Sequence, residues 1–362
     1  MAKTFKPLLG DDTVTTRTLL HEAIPITGTI SSGTYQAGGA GGTELNIKTF
    51  SHGMYQSVYD YPYLSSSANH IFDVSYGCSS NASSSANTQN AKKLNIYNQM
   101  AQVLLGYNVS GTIRKFESDG TIDGAGQIMN HCFFINNSRL LVKDEIKKGS
   151  YRLKLYTSGT VEGNGTARTG LITLGDYGSA TEYRTCPAGD YGLIYTSSAD
   201  TTSSATSTAC KGLVFYQAGI VALTSSLFLE EFGAPGDETA IGGYGGANTG
   251  INHAQTSSTI DKLANGFRHM VNDIDFNNTI ELNSAIYFCR VNHNEYNYSA
   301  NPTYISGSKI VVKNNVSDLP VSYITSVGLY SPDNELLAVA KLSEPIRKDP
   351  NTELTLRVRL DY

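Results

Sequence analysis

The chain contains no tryptophan, and only 16 % of its 362 residues are charged. A net charge of -5 and a pI near 5.8 leave no basic excess to release counterions from a phosphate backbone, so a nucleic-acid groove is not expected. The five cysteines, Cys78, Cys132, Cys186, Cys210 and Cys289, are odd in number and share no CxxC spacing. Neither a disulfide framework nor a zinc ribbon is expected from them, and free thiols are the default. Nowhere does an apolar run approach the roughly 18 residues of a membrane span. The segment Met1–Pro7 lacks the apolar core of a signal peptide, so synthesis and folding in a cytoplasm are expected.

What is abundant is small and hydroxylated: Gly, Ser, Thr and Asn, with 23 tyrosines. Hydrophobic residues reach 40 %, which excludes a disordered chain and allows a large core without staples. The pattern is that of a mainly β protein with many turns. Leu354, Leu356, Val358 and Leu360 alternate with Thr355, Arg357, Arg359 and Asp361, the period of a strand with one buried face. Upstream, the runs 323–330 and 336–342 flank Ser331-Pro332-Asp333-Asn334, a turn sequence, and read as a hairpin.

Two helices interrupt the β pattern. In the first, Leu94, Tyr97, Ala101 and Leu104 share a side with Ile96, Met100 and Val103 beside them, and Gly106 stands where a C-cap is wanted. In the second, Ser258 and Asp261 form a capping box before a stripe of Ile260, Leu263, Phe267, Met270 and Val271. Phe116–Ile122, containing Asp119-Gly120, reads as a hairpin tip. Residues 220–228 fit a strand or a short helix equally well. The expected architecture is antiparallel sheets or a β-sandwich with two short helices. The expected divisions are an extended assembly arm at 1–30, a β-rich domain at 31–235, a Gly-rich linker at 236–256, and a helix plus antiparallel β domain at 257–362.

Candidate chemistry is sparse. Cys289 and His293, joined by His131 and Cys132, have zinc-compatible side chains, but i and i+4 along a strand stand roughly 13 Å apart. No Gly-x-Ser-x-Gly elbow occurs, and His269 falls on the polar side of its helix, where a solvated or interface histidine is expected. Asp119 and Asp123 match no complete calcium loop. Glu230 and Glu231 are adjacent and would face opposite ways in an extended run. Gly242-Gly243-Tyr244-Gly245-Gly246 has no Lys-Ser/Thr for phosphate. No catalytic, metal or cofactor residue is expected. The tyrosines around Pro62, namely Tyr59, Tyr61 and Tyr63, suit either a subunit interface or stacking on sugar, with the interface favoured. With Arg17 and His21 of the arm they are the candidate interface residues.

The C-terminal run Ile324–Tyr330, its turn, Leu336–Ala340 and Glu353–Leu356 resemble a module of bacteriophage tail-collar and tail-fibre proteins. Residues 285–290 and 297–303, with 16–21, 59–63 and 143–150 in the N-terminal part, are similar to uncharacterised virion structural proteins of contractile-tailed marine and cyanobacterial phages. The resemblance implies a place in a virion, in the tail or baseplate, with copies of itself and other virion proteins as partners in a symmetric homo-oligomeric assembly. It brings no catalytic residues. Two alternatives remain: a receptor-binding or polysaccharide-degrading tail protein, and a head decoration or neck protein.

Overall fold

A computed structural model of the chain describes residues 5–24, 45–82, 88–122, 126–162, 165–166, 169–196, 210–228, 232–234, 237–241, 258–299, 304–306, 309–310, 315, 317 and 319–362. The fold is mainly β with several antiparallel sheets, as expected. In chain order the strands are β1 (Thr13–Ile24), β2 (Ile47–Thr49), β3 (Tyr55–Tyr59), β4 (His70–Cys78), β5 (His131–Asn137), β6 (Glu145–Ile146), β7 (Arg152–Glu162), β8 (Gly165–Thr166), β9 (Thr169–Gly175), β10 (Arg184–Cys186) and β11 (Gly189–Ile194). They continue as β12 (Gly212–Phe215), β13 (Ile220–Thr224), β14 (Phe232–Ala234), β15 (Asp237–Ile241), β16 (Val271–Val291), β17 (Ile305–Ser306), β18 (Lys309–Ile310), β19 (Ser322–Tyr330), β20 (Leu336–Lys348) and β21 (Leu354–Asp361). The helices are α1 (Thr88–Leu104), the single turn α2 (Arg139–Val142) and α3 (Ile260–Met270).

The chain forms two compact units, one of residues 1–19 with 281–362 and one of residues 20–280. The division therefore falls inside both β1 and β16 and differs from the expected divisions. Most of the expected linker, 242–256, lies outside the described residues, while residues 237–241 are strand β15.

The larger unit is organised by an eight-stranded sheet in the order β10-β11-β12-β13-β5-β4-β3-β2, antiparallel throughout. Its middle strands are buried on both faces, and their sequences are accordingly almost continuous apolar runs instead of alternations. Cys132 and Phe134 point to one face with Gly77, and His131, Phe133 and Ile135 to the other with Cys78, Tyr76 and Val74. On the first face Tyr97 of α1 meets Phe116 edge-on at 5.3 Å and Phe134 at 6.4 Å. On the second, Phe267 of α3 stacks on Phe133 at 4.8 Å, with Phe228 closing the group. Each of these rings is buried, so each contributes a few kcal/mol of apolar burial.

Both expected helices are present, with differences in detail. Tyr97, Ala101, Leu104 and Ile96 are buried, but Val103 is exposed, while Asn90 and Lys93 are buried. Gly106 caps the helix with φ +74°, its N–H donating to the Ala101 carbonyl. In α3 the cap is Thr259, one residue beyond the expected Ser258, its hydroxyl accepting the Lys262 N–H at 3.2 Å. The apolar stripe of α3 is fully buried. Its flank is buried too: Arg268 and His269 have 0 % exposure, which corrects the expectation of a solvated or interface His269. The His269 ring bonds back to the Asn265 carbonyl at 2.7 Å, and Arg268 Nε donates to Gln56 at 3.3 Å. A polar flank was expected to face water because an amphipathic helix has one covered side; α3 is covered on more than one.

The smaller unit contains β21 paired to the second half of β16, Ser284 opposite Asp361 through Val291 opposite Leu354. Leu354, Leu356, Val358 and Leu360 do share a face, although only Val358 is buried and the others are half-buried. β19 and β20 form the expected hairpin as a separate two-stranded ribbon. Its turn closes through the Ser331 N–H to the Glu335 carbonyl at 2.8 Å, with Asn334 at φ +66°. Between Ile324 and Ser326 on β19 the partner jumps from Ile346 to Lys341 on β20, a bulge that contains Pro345.

Gly77 is where α1 approaches its sheet most closely. A Cβ there would lie 2.8 Å from the Tyr97 nitrogen and 3.1 Å from the Lys93 carbonyl, both backbone atoms that cannot swing aside. Gly77→Ala is expected to lower stability by about 1–3 kcal/mol through overpacking; an unchanged urea midpoint would show that α1 can shift at no cost.

Candidate interaction surfaces

The outer strands of the eight-stranded sheet carry aromatic side chains on a face that is only partly covered. Lys48 pairs with Ser57 across β2 and β3, so Lys48, Tyr55, Ser57 and Tyr59 share one side. Phe50 stacks near-parallel on His52 at 5.3 Å and meets Tyr55 at 4.6 Å, with the Lys48 ammonium 5.1 Å from the Phe50 ring centre. A second group stands at the far end of β3, where Tyr59 lies between Tyr63 at 6.3 Å and His70 at 5.4 Å. His70 Nε2 and the Ser57 hydroxyl converge on Asp73 Oδ1 at 2.8 and 2.5 Å. The 60–69 turn is tied by Asp60, whose two carboxylate oxygens accept the backbone and side-chain N–H groups of Asn69 at 2.6 and 2.7 Å.

The structure thus joins Tyr59 and Tyr63 in one ring cluster. Tyr59 is half-buried, and burial raises its pKa above the ordinary value; Tyr61 is 54 % exposed, and Tyr63 and Leu64 are also exposed. Sequence reading missed Phe50, His52 and His70 as members of the same face. His70 joins the face through its pairing opposite Tyr59 across a register shift, which local alternation does not show.

The arm residues are fastened within the smaller unit. Arg17 Nη2 donates to Glu281 at 2.5 Å, Lys6 Nζ to Glu295 at 2.5 Å, and Arg290 Nε to Asp12 at 2.5 Å. The Asp12 carboxyl is held below its usual pKa first by the Leu9 N–H and then by Arg290. Arg17 is therefore an exposed ion-pair partner of its own chain, in a strand that neighbours β16. The side chain of His21 lies outside the described residues, as do Asp123, Glu230, Glu231 and the glycines at 242–246.

A pocket of about 300 Å³ opens at the end of the sheet where β5 begins and β13 ends. His131, Cys210, Lys211 and Ser225 are among its lining residues. The Ser225 hydroxyl is buried and meets no partner among the described residues. The volume is at the lower limit for a small-molecule site. Behind it, His131 Nδ1 bonds the buried Tyr76 hydroxyl at 2.8 Å, and Lys93 lies 6.0 Å from the Tyr76 ring centre. Burial lowers Lys93 to about 8, and burial followed by the Lys93 charge lowers His131 to about 4. His131 is therefore neutral at pH 7 and committed to Tyr76, the state of a structural imidazole and not of a general acid. Lys93 could have been foreseen on the buried face, since it precedes Tyr97 by four residues.

A second buried titratable centre is Asp176. Its oxygens accept from the Tyr151 N–H at 2.9 Å, the Gly149 N–H at 2.8 Å, the Tyr216 hydroxyl at 2.9 Å and Arg152 at 3.1 Å. Burial raises it to about 6 against these donors, which pull the other way. A carboxylate surrounded by four donors ties three loops together and has little capacity left for a substrate.

Cys289 is placed opposite Leu356 in the β16–β21 ladder, and His293 lies 3.1 Å from Glu353. Among the described residues no group of three or more His, Cys, Asp or Glu side chains could hold a metal ion, and no helix is long and apolar enough to cross a membrane. Asp119 Oδ1 accepts the backbone N–H and the hydroxyl of Thr121, each at 3.1 Å, which is turn chemistry. No family model, no curated protein and no solved structure matches the chain.

His131 and Asp176 move stability in opposite directions with pH. A histidine held neutral loses stability as pH falls from 6.5 through about 4, because the unfolded chain takes up the proton first; a carboxyl raised to about 6 loses stability as pH rises from 3.8 through that value. His131→Gln removes the first contribution alone. The variant's destabilisation relative to wild type is expected to be smaller at pH 4.5 than at pH 7.5, by on the order of 3 kcal/mol or less; a pH-independent difference in urea midpoints would show that His131 does not titrate in that range.

Proposed function

We propose that the chain is a non-enzymatic structural component of a phage virion, of the tail or baseplate, that acts through protein–protein assembly. The observation that carries this reading is the β19–β20 ribbon. A two-stranded ribbon alone is marginal in water, yet this one exposes Tyr323, Tyr330, Leu336, Leu337 and Val339, with Leu337 68 % exposed. Such side chains are stabilised by a second surface. The resemblance of this stretch to tail-collar and tail-fibre modules supports the setting, and the fully engaged Asp176 and His131 support a scaffold over a reaction centre.

A second reading is favoured by the aromatic face of β2, β3 and β4. Rings alternating with Asp73, His70 and Ser57 offer both stacking and hydrogen bonds, a combination that suits a host-surface glycan. On this reading the same virion protein contacts the receptor.

Labelling of intact particles with an antibody to this chain, viewed by electron microscopy, tests the assignment. Label on the tail or baseplate is the expected result; label on the capsid face would move the role to the head, and its absence from particles would remove the virion reading. Tyr61→Ala with Tyr63→Ala separates the two surfaces. Both side chains are exposed, so folding stability is expected to change by less than about 0.5 kcal/mol for each. Loss of glycan binding in that variant, with particle incorporation intact, would assign the aromatic face to a receptor.

A further inference from the structure

The charges of the ribbon are segregated along its length. β19 carries none, so β20 and the turn define the pattern. At the tip stand Asp333 and Glu335, both exposed. Along the stem stand Lys341 and Arg347, both exposed, and Lys348, which is buried and bonded to Asn297 Oδ1 at 2.6 Å; Glu344 is the one acid among them. Arg347 also has Asp349 at 3.5 Å, just past the strand. The tip is thus acidic and the stem, on balance, basic.

The two faces of the ribbon also differ. Val327 with Ala340 and Leu329 with Ala338 make the half-buried face. On the other, Ser326 pairs with Lys341, Gly328 with Val339 and Tyr330 with Leu336, and all six are exposed. Gly328 lets the side chains of Tyr330 and Leu336 lie over the middle of this face: a Cβ there would be 3.0 Å from the Tyr330 ring and 3.3 Å from Leu336 Cδ1. Phe5 lies against Tyr330 at 4.5 Å and is itself exposed, which extends the apolar area toward the arm.

We propose that this open face packs against the same face of a second copy, with the two ribbons antiparallel, so that the acidic tip of each lies over the basic stem of the other. The charge pattern selects this occupant. An isologous contact repeats every interaction twice, and a surface that is acidic at one end and basic at the other is complementary to itself only when reversed. A parallel arrangement would set tip against tip and stem against stem. The inference rests on the assembly reading and supplies its partner.

Full-length protein, analysed by light scattering after size exclusion and by sedimentation, provides the test. Wild type is expected to be dimeric, or a higher even oligomer, at micromolar concentration. Asp333→Lys with Glu335→Lys makes both ends basic, and Lys341→Glu with Arg347→Glu makes both ends acidic; each variant alone is expected to dimerise about tenfold or more weakly. Mixed, the two are expected to form a heterodimer preferentially, because every tip then meets a stem of opposite sign. Circular dichroism of each variant checks that it is folded, and recovery in the mixture excludes misfolding as the cause of the loss. A monomeric wild type, or a mixture in which no heterodimer forms, would overturn the proposal. Heterodimer formation by a protein that is not found in particles would leave the dimer standing and remove the virion setting.

Discussion

The eight-stranded sheet of the larger unit has to be covered on both faces, and most of the unit follows from that requirement. Phe133 and Phe134 are neighbours in sequence and point to opposite faces, one to Phe267 and Phe228 and the other to Tyr97 and Phe116. A helix must therefore lie on each side. α1 reaches its place because Gly77 presents no side chain, and α3 reaches its own by burying a polar flank as well as an apolar stripe. Aromatic rings from strands far apart in the chain then fill the interior at edge-on and stacked geometries that aliphatic side chains could not reproduce.

The cost of covering a sheet so completely is that polar groups are enclosed with it. Several have specific partners: Asp176 has four donors, Arg268 has Gln56 and Asn265, and His131 has Tyr76. The structure employs these side chains as internal fasteners. Among the described residues, exposed apolar and aromatic side chains stand on the outer strands of the large sheet and on the β19–β20 ribbon.

Much of the architecture could be read from local patterns. The C-terminal hairpin, the strand at its end, both longer helices and the cap at Gly106 all announce themselves within a dozen residues, through period, turn chemistry or a capping residue. The buried Arg268 and His269 could not be read this way, because their burial depends on Gln56, some two hundred positions earlier in the chain. Lys93 is an intermediate case: its helical position marked it as buried, but charge argued against the placement. The division within β16 was hidden as well. A single long strand shows one continuous pattern even when its two halves pair with different partners, β7 and then β21. Of the candidate interface residues, Tyr59 and Tyr63 are joined in one ring cluster as their spacing in sequence suggests, whereas the contribution of Phe50 and His70 required the strand pairing.

The bulge at Pro345 has a consequence for how such a ribbon behaves in a crowded cell. A flat, exposed strand invites identical strands to add alongside it without limit, which is the route to fibrils. β20 is interrupted where four residues on its side, 342–345, answer one on β19, Thr325, and proline there has no N–H to donate. Growth by strand addition is obstructed along that border while the broad side of the ribbon stays open. The hairpin thus keeps an exposed apolar side without offering an uninterrupted strand for addition.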